Sequence, residues 1–284
     1  MSSTEVPQPG GSPSKETHVS AGPDVDVRAI VSPGSEGILD ETPLEDIFDA
    51  DIVAKAENLA ARYPQSRSAL LPMLHLVQSV QGYVSQEGIS FCARQLGLSD
   101  AEVTAVATFY TMYKRRPCGE HLVSICTNTL CAALGGDAIY KAVQEHLGTD
   151  GKPLGHNETV GTPGEKGSIT LEHAECLAAC DLGPVLQVNY EYYDNQTPEK
   201  TIALVDALRE GRKPAPTRGA PLTDFKGAEL QLAGFFPENP VQYREDVNGP
   251  SQAVETLRGA QIAQERGWVA PVIEDVPLPE VQKK

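Results

Sequence analysis

Positive charge is scarce in this chain: 23 Lys and Arg stand against 39 Asp and Glu, a formal net charge of -16 over 284 residues. Such a chain repels nucleic acid and anionic lipid, so its expected partners are proteins. Long apolar runs are also missing. The longest, around Ala69 to Val77 and Val103 to Met112, are short and interrupted, which excludes a membrane-spanning helix. The N-terminus lacks the basic start and apolar core of a signal peptide, and Glu5, Glu16, Asp24 and Asp26 argue against a transit peptide. A cytosolic, bacterial-style protein is expected. In reducing surroundings its six cysteines serve as ligands or buried thiols rather than disulfides. No C-x-x-C redox dithiol is present. Neither Gly135-Gly136 nor the loop around Gly161 and Gly164 makes a G-x-G-x-x-G turn after a strand, so no nucleotide site is expected.

What the chain does have is two cysteine pairs, Cys126-Thr-Asn-Thr-Leu-Cys131 and Cys176-Leu-Ala-Ala-Cys180. Four thiolates brought to one point suit tetrahedral zinc or an iron-sulfur cluster. Loops of four and three residues let each pair converge on one metal, so each could hold one iron of a 2Fe-2S cluster. Structural zinc more often uses two-residue gaps, and a Rieske centre needs two histidines where only His173 is close. Spacing alone ranks iron-sulfur over zinc by a small margin and leaves both open.

Residues 1–40, rich in Ser, Gly, Pro and acidic side chains, read as a disordered arm. Thr42-Pro43-Leu44-Glu45 is a capping box opening one helix through Ile52, Ala56, Leu59, Ala60 and Tyr63 to Pro64. A second helix is expected from Ser68 to Gln81, with Leu70, Leu71, Leu74, Val77 and Gln78 inward and Gly82 as its cap. A third follows Ser85, with Ile89, Cys92, Ala93 and Leu96 inward, and a fourth opens on the capping box Ser99-Asp-Ala-Glu102, with Val103, Val106, Ala107 and Tyr110. Residues 41–116 therefore form a helical bundle. Over 117–212 the pattern changes to α/β: a strand His121 to Ile125 ending at Cys126, a helix capped by Asp137, a glycine-rich loop from Gly148 to Gly167, a strand through Ile169, Leu171 and His173, strands at Val185 to Asn189 and near Tyr192, and a helix capped by Thr197-Pro198-Glu199. Both cysteine pairs fall at strand ends on one edge of the sheet. Residues 213–284 read as a Pro/Gly-rich extension with one short amphipathic helix over Ser251 to Arg266, the rest extended and either disordered or laid against a partner.

Taken together, the two cysteine motifs, Glu175 before Cys176, Gly183-Pro184, the Ala69-Leu-Leu-Pro-Met-Leu-His75 stretch and Ala107-Thr-Phe-Tyr-Thr-Met-Tyr113 resemble the E subunit of bacterial NADH-quinone oxidoreductase, respiratory complex I. The resemblance spans Asp46 to Thr217, with four motifs in the family's order. It implies an α+β protein: an N-terminal helical bundle, then a thioredoxin-like α/β domain carrying one 2Fe-2S cluster, with extended or disordered termini. It also implies Cys126, Cys131, Cys176 and Cys180 as the cluster ligands, no catalytic residue in this chain, and electron transfer beside a flavin. FMN and NADH are expected in a partner subunit, and the large iron-sulfur subunit of the same complex is the other expected partner. The implied location is peripheral, on the cytoplasmic face of the plasma membrane. Gly183 stands where many relatives carry Ala, a small-for-small change. The small subunit of an NAD-linked hydrogenase or formate dehydrogenase, or a non-redox zinc assembly module, are the alternatives.

Other residues have blander readings. Cys92 and Cys118 are expected as buried thiols, and His75 as a core or interface histidine. His173 would be a ligand only in a zinc site built from three cysteines and one histidine. Phe109, Tyr110, Met112 and Tyr113 are expected to pack between the two domains. Thr127, Thr129 and the backbone of both loops are the expected hydrogen-bond donors to cluster sulfur.

Overall fold

Helix starts in the first part of the chain are set by side chains that satisfy otherwise orphaned amides. Ser99 and Glu102 close a reciprocal capping box, Ser85 Oγ accepts from Gly88 N at 2.9 Å, and Asp49 accepts from Ile52 N at 3.0 Å. The computed structural model of the protein describes residues 44–237 and 254–269. In it the helices are α1 (Leu44–Ile47), α2 (Ala50–Ala61), α3 (Leu70–Gln81), α4 (Gln86–Leu96) and α5 (Asp100–Phe109), with a 3-10 turn at Ser66–Ala69. The single helix expected from Thr42 is two helices. Asp49 caps α2 while Phe48 turns inward against Phe91, with ring centroids 4.5 Å apart. Thr42, Pro43 and the arm of residues 1–40 lie outside the described residues.

Helix α3 is the axis of this layer and packs against α2, α4, α5 and a later helix. Its buried stripe is accordingly wide: Leu70, Met73, Leu74, Leu76, Val77 and Gln78. Each large apolar side chain buried there contributes about 1.5–3 kcal/mol. Leu71, expected inward, is exposed, and Met73 and Leu76 take its place. Gly82 and Gly97 end α3 and α4 in the left-handed conformation that glycine adopts without strain.

The sheet has order β2-β3-β1-β4-β5, with β1 (His121–Cys126), β2 (Glu158–Val160), β3 (Ile169–Ala174), β4 (Leu186–Val188) and β5 (Glu191–Tyr193). Only β1 and β3 are parallel, registering Cys126 against Ala174. Strand β1 is buried along its whole length, so both faces are covered. One face packs Val123 and Ile125 against Ile139, Val143 and Leu147 of α7 (Gly136–Leu147) and Leu204, Val205 and Leu208 of α8 (Pro198–Arg209). Between β1 and α7 lies α6 (Thr129–Ala133). Gly135, not Asp137, is the N-cap of α7; Asp137 sits in its first turn. The loop expected from Gly148 to Gly167 contains β2, whose three residues, none of them buried, show no clear alternation.

The other face of β1 carries Leu122, which packs with Cys118 and with Phe225 of α9 (Phe225–Leu232). Asp224 caps α9, accepting from Gly227 N at 2.6 Å. The extension expected after residue 212 thus includes a helix that runs back along α3 and adds Ala233 to the helical core. A further helix, α10 (Val254–Glu265), lies within the stretch Ser251 to Arg266 expected to be helical. Glu229 of α9 is fully buried. It meets His75 Nδ1 at 2.6 Å and accepts from Tyr190 Oη at 2.7 Å, tying α3, α9 and the β4–β5 hairpin together. That hairpin turns on Asn189 and Tyr190, both at positive φ, as a two-residue primed turn demands. Tyrosine is a poor choice for this conformation, and its bond to Glu229 holds it there.

Replacing Glu229 by Ala should leave His75 and Tyr190 with buried, unpaired groups and cost about 1–3 kcal/mol. Urea unfolding measures it, and an unchanged midpoint would remove Glu229 from the fold's polar ties. His121 is buried, and burial holds its pKa below the usual imidazole value despite Glu120 beside it. The unfolded chain therefore binds more protons between that lowered value and about 6.5, so stability should rise with pH through this window. Unfolding midpoints at pH 5.5 and 7.5 should differ less in His121→Gln than in the parent chain.

Candidate metal centre

Because β1 and β3 run parallel, their C-terminal ends share one edge of the sheet, and each hands the chain to a cysteine loop. Cys126 is the last residue of β1, and Cys131 follows in α6; both are buried. Cys176 lies two residues beyond β3 and is exposed, while Cys180, half-buried, opens a 3-10 turn at Cys180–Leu182. The Cys176 and Cys180 sulfurs are 3.5 Å apart, close to the roughly 3.8 Å that two thiolates on one tetrahedral metal adopt when each bond is about 2.3 Å. Cys126 and Cys131 lie together in one buried cluster with Ala179, Leu182 and Val185. Among the described residues no three Cys, His, Asp or Glu side chains group around a single metal position.

The first and second loops are tied directly: Asn128 Nδ2 donates to Glu175 at 2.6 Å, and Thr127 N to Ala174 O at 3.1 Å. Tyr192 Oη holds the second loop by donating to Leu177 O at 2.6 Å, and the Arg218 guanidinium lies 4.3 Å over the Tyr192 ring. Arg218 is itself held by Asp194 at 3.1 Å. None of these supports stands out in the sequence, because Asn128 and Glu175 become neighbours only once the β1–β3 register is known. Thr127 turns its hydroxyl toward Ala174 O at 3.5 Å rather than to sulfur; the amide that does point at sulfur is Ala178 N, 3.4 Å from Cys176, at a positive φ. His173 is exposed and stacks on His156 at 4.2 Å, apart from the sulfur pairs in its contacts. Cys92 and Cys118 are buried elsewhere, and burial pushes both thiols up, Cys118 to about 12.

Burial raises the Cys131 thiol, with the Cys126 thiol adding and a backbone bond involving Val185 opposing; at Cys180 the hydrogen bond with Cys176 leads, followed by burial. The free Cys131 and Cys180 thiols therefore keep their protons near neutrality, and loading a metal there must release them. The donor set, all sulfur, with one pair shielded and one facing out, fits a thiolate-held binuclear cluster. Space is reserved for the loops by glycine. A Cβ on Gly136 would lie 2.5 Å from Cys126 O and 2.9 Å from Cys131 O, both backbone atoms, so the first loop could not close as it does. Gly136→Ala should therefore lower metal and sulfide content severalfold and speed alkylation of Cys131 in the metal-free chain. Gly259→Ala, where a Cβ meets open space, should change neither.

A model of the thioredoxin-like [2Fe-2S] ferredoxin family matches residues 56–209, a span containing all four of these cysteines. The E subunit of the Mycobacterium bovis NADH-quinone oxidoreductase is 50% identical over 228 residues, 79% of this chain and 85% of that one. The E subunit of the Rickettsia bellii enzyme is 35% identical over 165 residues, 57% of this chain and 93% of its own. A solved NAD+-reducing [NiFe]-hydrogenase in the H2-reduced state overlaps 51% of this chain and 22% of that chain, with 14% identity and a TM-score of 0.43. With that family model covering more than half its length, and paired cysteine loops on one edge of its sheet, the chain belongs to the thioredoxin-like [2Fe-2S] ferredoxin family.

Proposed function

We propose that the chain is the electron-transfer subunit of an NADH-quinone oxidoreductase, holding one 2Fe-2S cluster on Cys126, Cys131, Cys176 and Cys180. The observation that carries this reading is that both cysteine loops leave the sheet at one edge, in a chain 50% identical over 228 residues to the E subunit of such an oxidoreductase. Bound there, the cluster takes up and gives back one electron at a time. Cys126 and Cys131 sit on the protein side, with Ala179, Leu182 and Val185 keeping water from them. Cys176 faces outward and marks the side of electron entry and exit. Leu130 and Leu134, exposed on and just after α6, the helix that carries Cys131, add apolar surface that a partner can dry.

The chain's own charges set the poise. Its net charge of -16 disfavours an added electron and lowers the potential, whereas the Ala178 amide near Cys176 favours it. Hydride chemistry belongs to a neighbouring subunit that carries flavin and binds NADH, and a large iron-sulfur subunit completes the electron path. Among the described residues no helix is long and apolar enough to cross a membrane. The complex, in this reading, places the chain on the cytoplasmic face of the plasma membrane.

Each of Cys126→Ser, Cys131→Ser, Cys176→Ser and Cys180→Ser should abolish or strongly weaken the visible cluster spectrum, while Cys92→Ser and Cys118→Ser keep it. The tagged parent chain should co-purify with a flavin-containing, NADH-oxidising partner. A full native spectrum after Cys126→Ser would remove that residue from the ligand set, and a colourless zinc protein would overturn the reading.

A further inference from the structure

The aromatic segment after α5 does not pack where the sequence pattern places it. Tyr113 is buried, but Phe109 is 78% exposed, Tyr110 45% and Met112 36%, and Leu71, whose carbonyl accepts from Tyr113 Oη at 3.0 Å, is 41% exposed. These side chains form one patch. The Phe109 and Tyr110 rings meet edge to face at 5.0 Å, and Tyr110 meets Tyr113 at 6.0 Å.

The patch is held rigidly. Gln78, fully buried in α3, donates from Nε2 to Met112 O at 3.0 Å and accepts from Lys114 N at 2.6 Å, so one side-chain amide clamps the loop on both sides of Tyr113. Tyr113 anchors it from below, its ring 5.0 Å from that of His75. Burying a polar side chain to shape an exposed apolar loop gains nothing for a surface facing only water, but it reduces the ordering cost of an interface. Aromatic, Met and Arg side chains are the types enriched where protein partners dock.

Charge says what the partner must offer. Lys114 is committed to Glu172 at 2.5 Å, whereas Arg115 and Arg116 stand exposed and make no ion pair among the described residues. In a chain of net charge -16 this is a local positive rim around an apolar knob. We propose that Phe109, Tyr110 and Met112, flanked by Arg115 and Arg116, are a preformed anchor that docks into an apolar pocket rimmed by carboxylates on a sister subunit of the same oxidoreductase. The proposal rests on the functional reading above for the identity of the assembly. A second copy of this chain or an anionic membrane could face the two arginines with negative charge, but the chain's net charge of -16 repels both at long range, and each is a separate outcome of the test.

The test uses the assembly purified through a tag on this chain, with Phe109 replaced by p-benzoylphenylalanine and irradiated. The expected product is a covalent adduct with a sister subunit, its peptide map showing apolar residues flanked by Asp or Glu. In parallel, Arg115→Glu with Arg116→Glu should reduce co-purified sister subunits at least tenfold at low salt, while the tagged chain keeps its 2Fe-2S spectrum. An intact assembly without an adduct, or one undisturbed by the charge reversal, overturns the anchor alone. An adduct only with a second copy, or only with lipid, also overturns it. If the parent chain co-purifies with no NADH-oxidising partner, the functional reading fails, and the named partner with it.

Discussion

The parallel pairing of β1 with β3 is the constraint on which the site depends. A parallel pair requires a crossover, here supplied by α6 and α7, and its consequence is that two strands release the chain at one edge. Both cysteine loops thus start from one edge of the sheet, and the Asn128–Glu175 bond fixes the two loops against each other. The same strand is buried on both faces, so the first loop hangs from a strand packed on either side.

Around that strand the rest of the structure works as a brace. On one face α7 and α8 close a purely apolar core. The opposite face is tied to the helical layer through polar groups: Glu229 to His75 and Tyr190, and Lys114 through Glu172 to Ser124 of β1. Polar ties between layers cost desolvation but fix orientation, because each bond has one geometry where an apolar contact tolerates sliding. A redox protein whose electron must cross to a neighbour gains from that fixed orientation. The segment from Thr217 to Ala233 supplies several of these ties, through Arg218 over Tyr192 and through Glu229, and so belongs to the support of the cysteine loops.

Much of this was legible in the residues. Ser85, Ser99 with Glu102, and Thr197 with Pro198 each mark a helix start by local chemistry alone, and Gly82 and Gly97 mark ends by backbone freedom. The strands leading to Cys126 and Cys176 were readable because Leu122, Val123 and Ile125, and Ile169 and Leu171, set buried apolar side chains ahead of each cysteine loop. Helix α9 was not, since its key buried residue is Glu229, a carboxylate that reads as solvent-facing until its two partners are known. The interruption of the first helix depends on Asp49 competing for an amide, and β2 is too short to show alternation. Phe109, Tyr110 and Met112 misled for the opposite reason: they have the composition of a core and occupy the surface.

The central claim, that the two sulfur pairs together hold one binuclear cluster, is tested most directly by iron, zinc and acid-labile sulfide analysis of the full chain purified without oxygen. The account predicts two irons and two sulfides per chain, with a paramagnetic signal that appears on one-electron reduction. One zinc with no sulfide would contradict it.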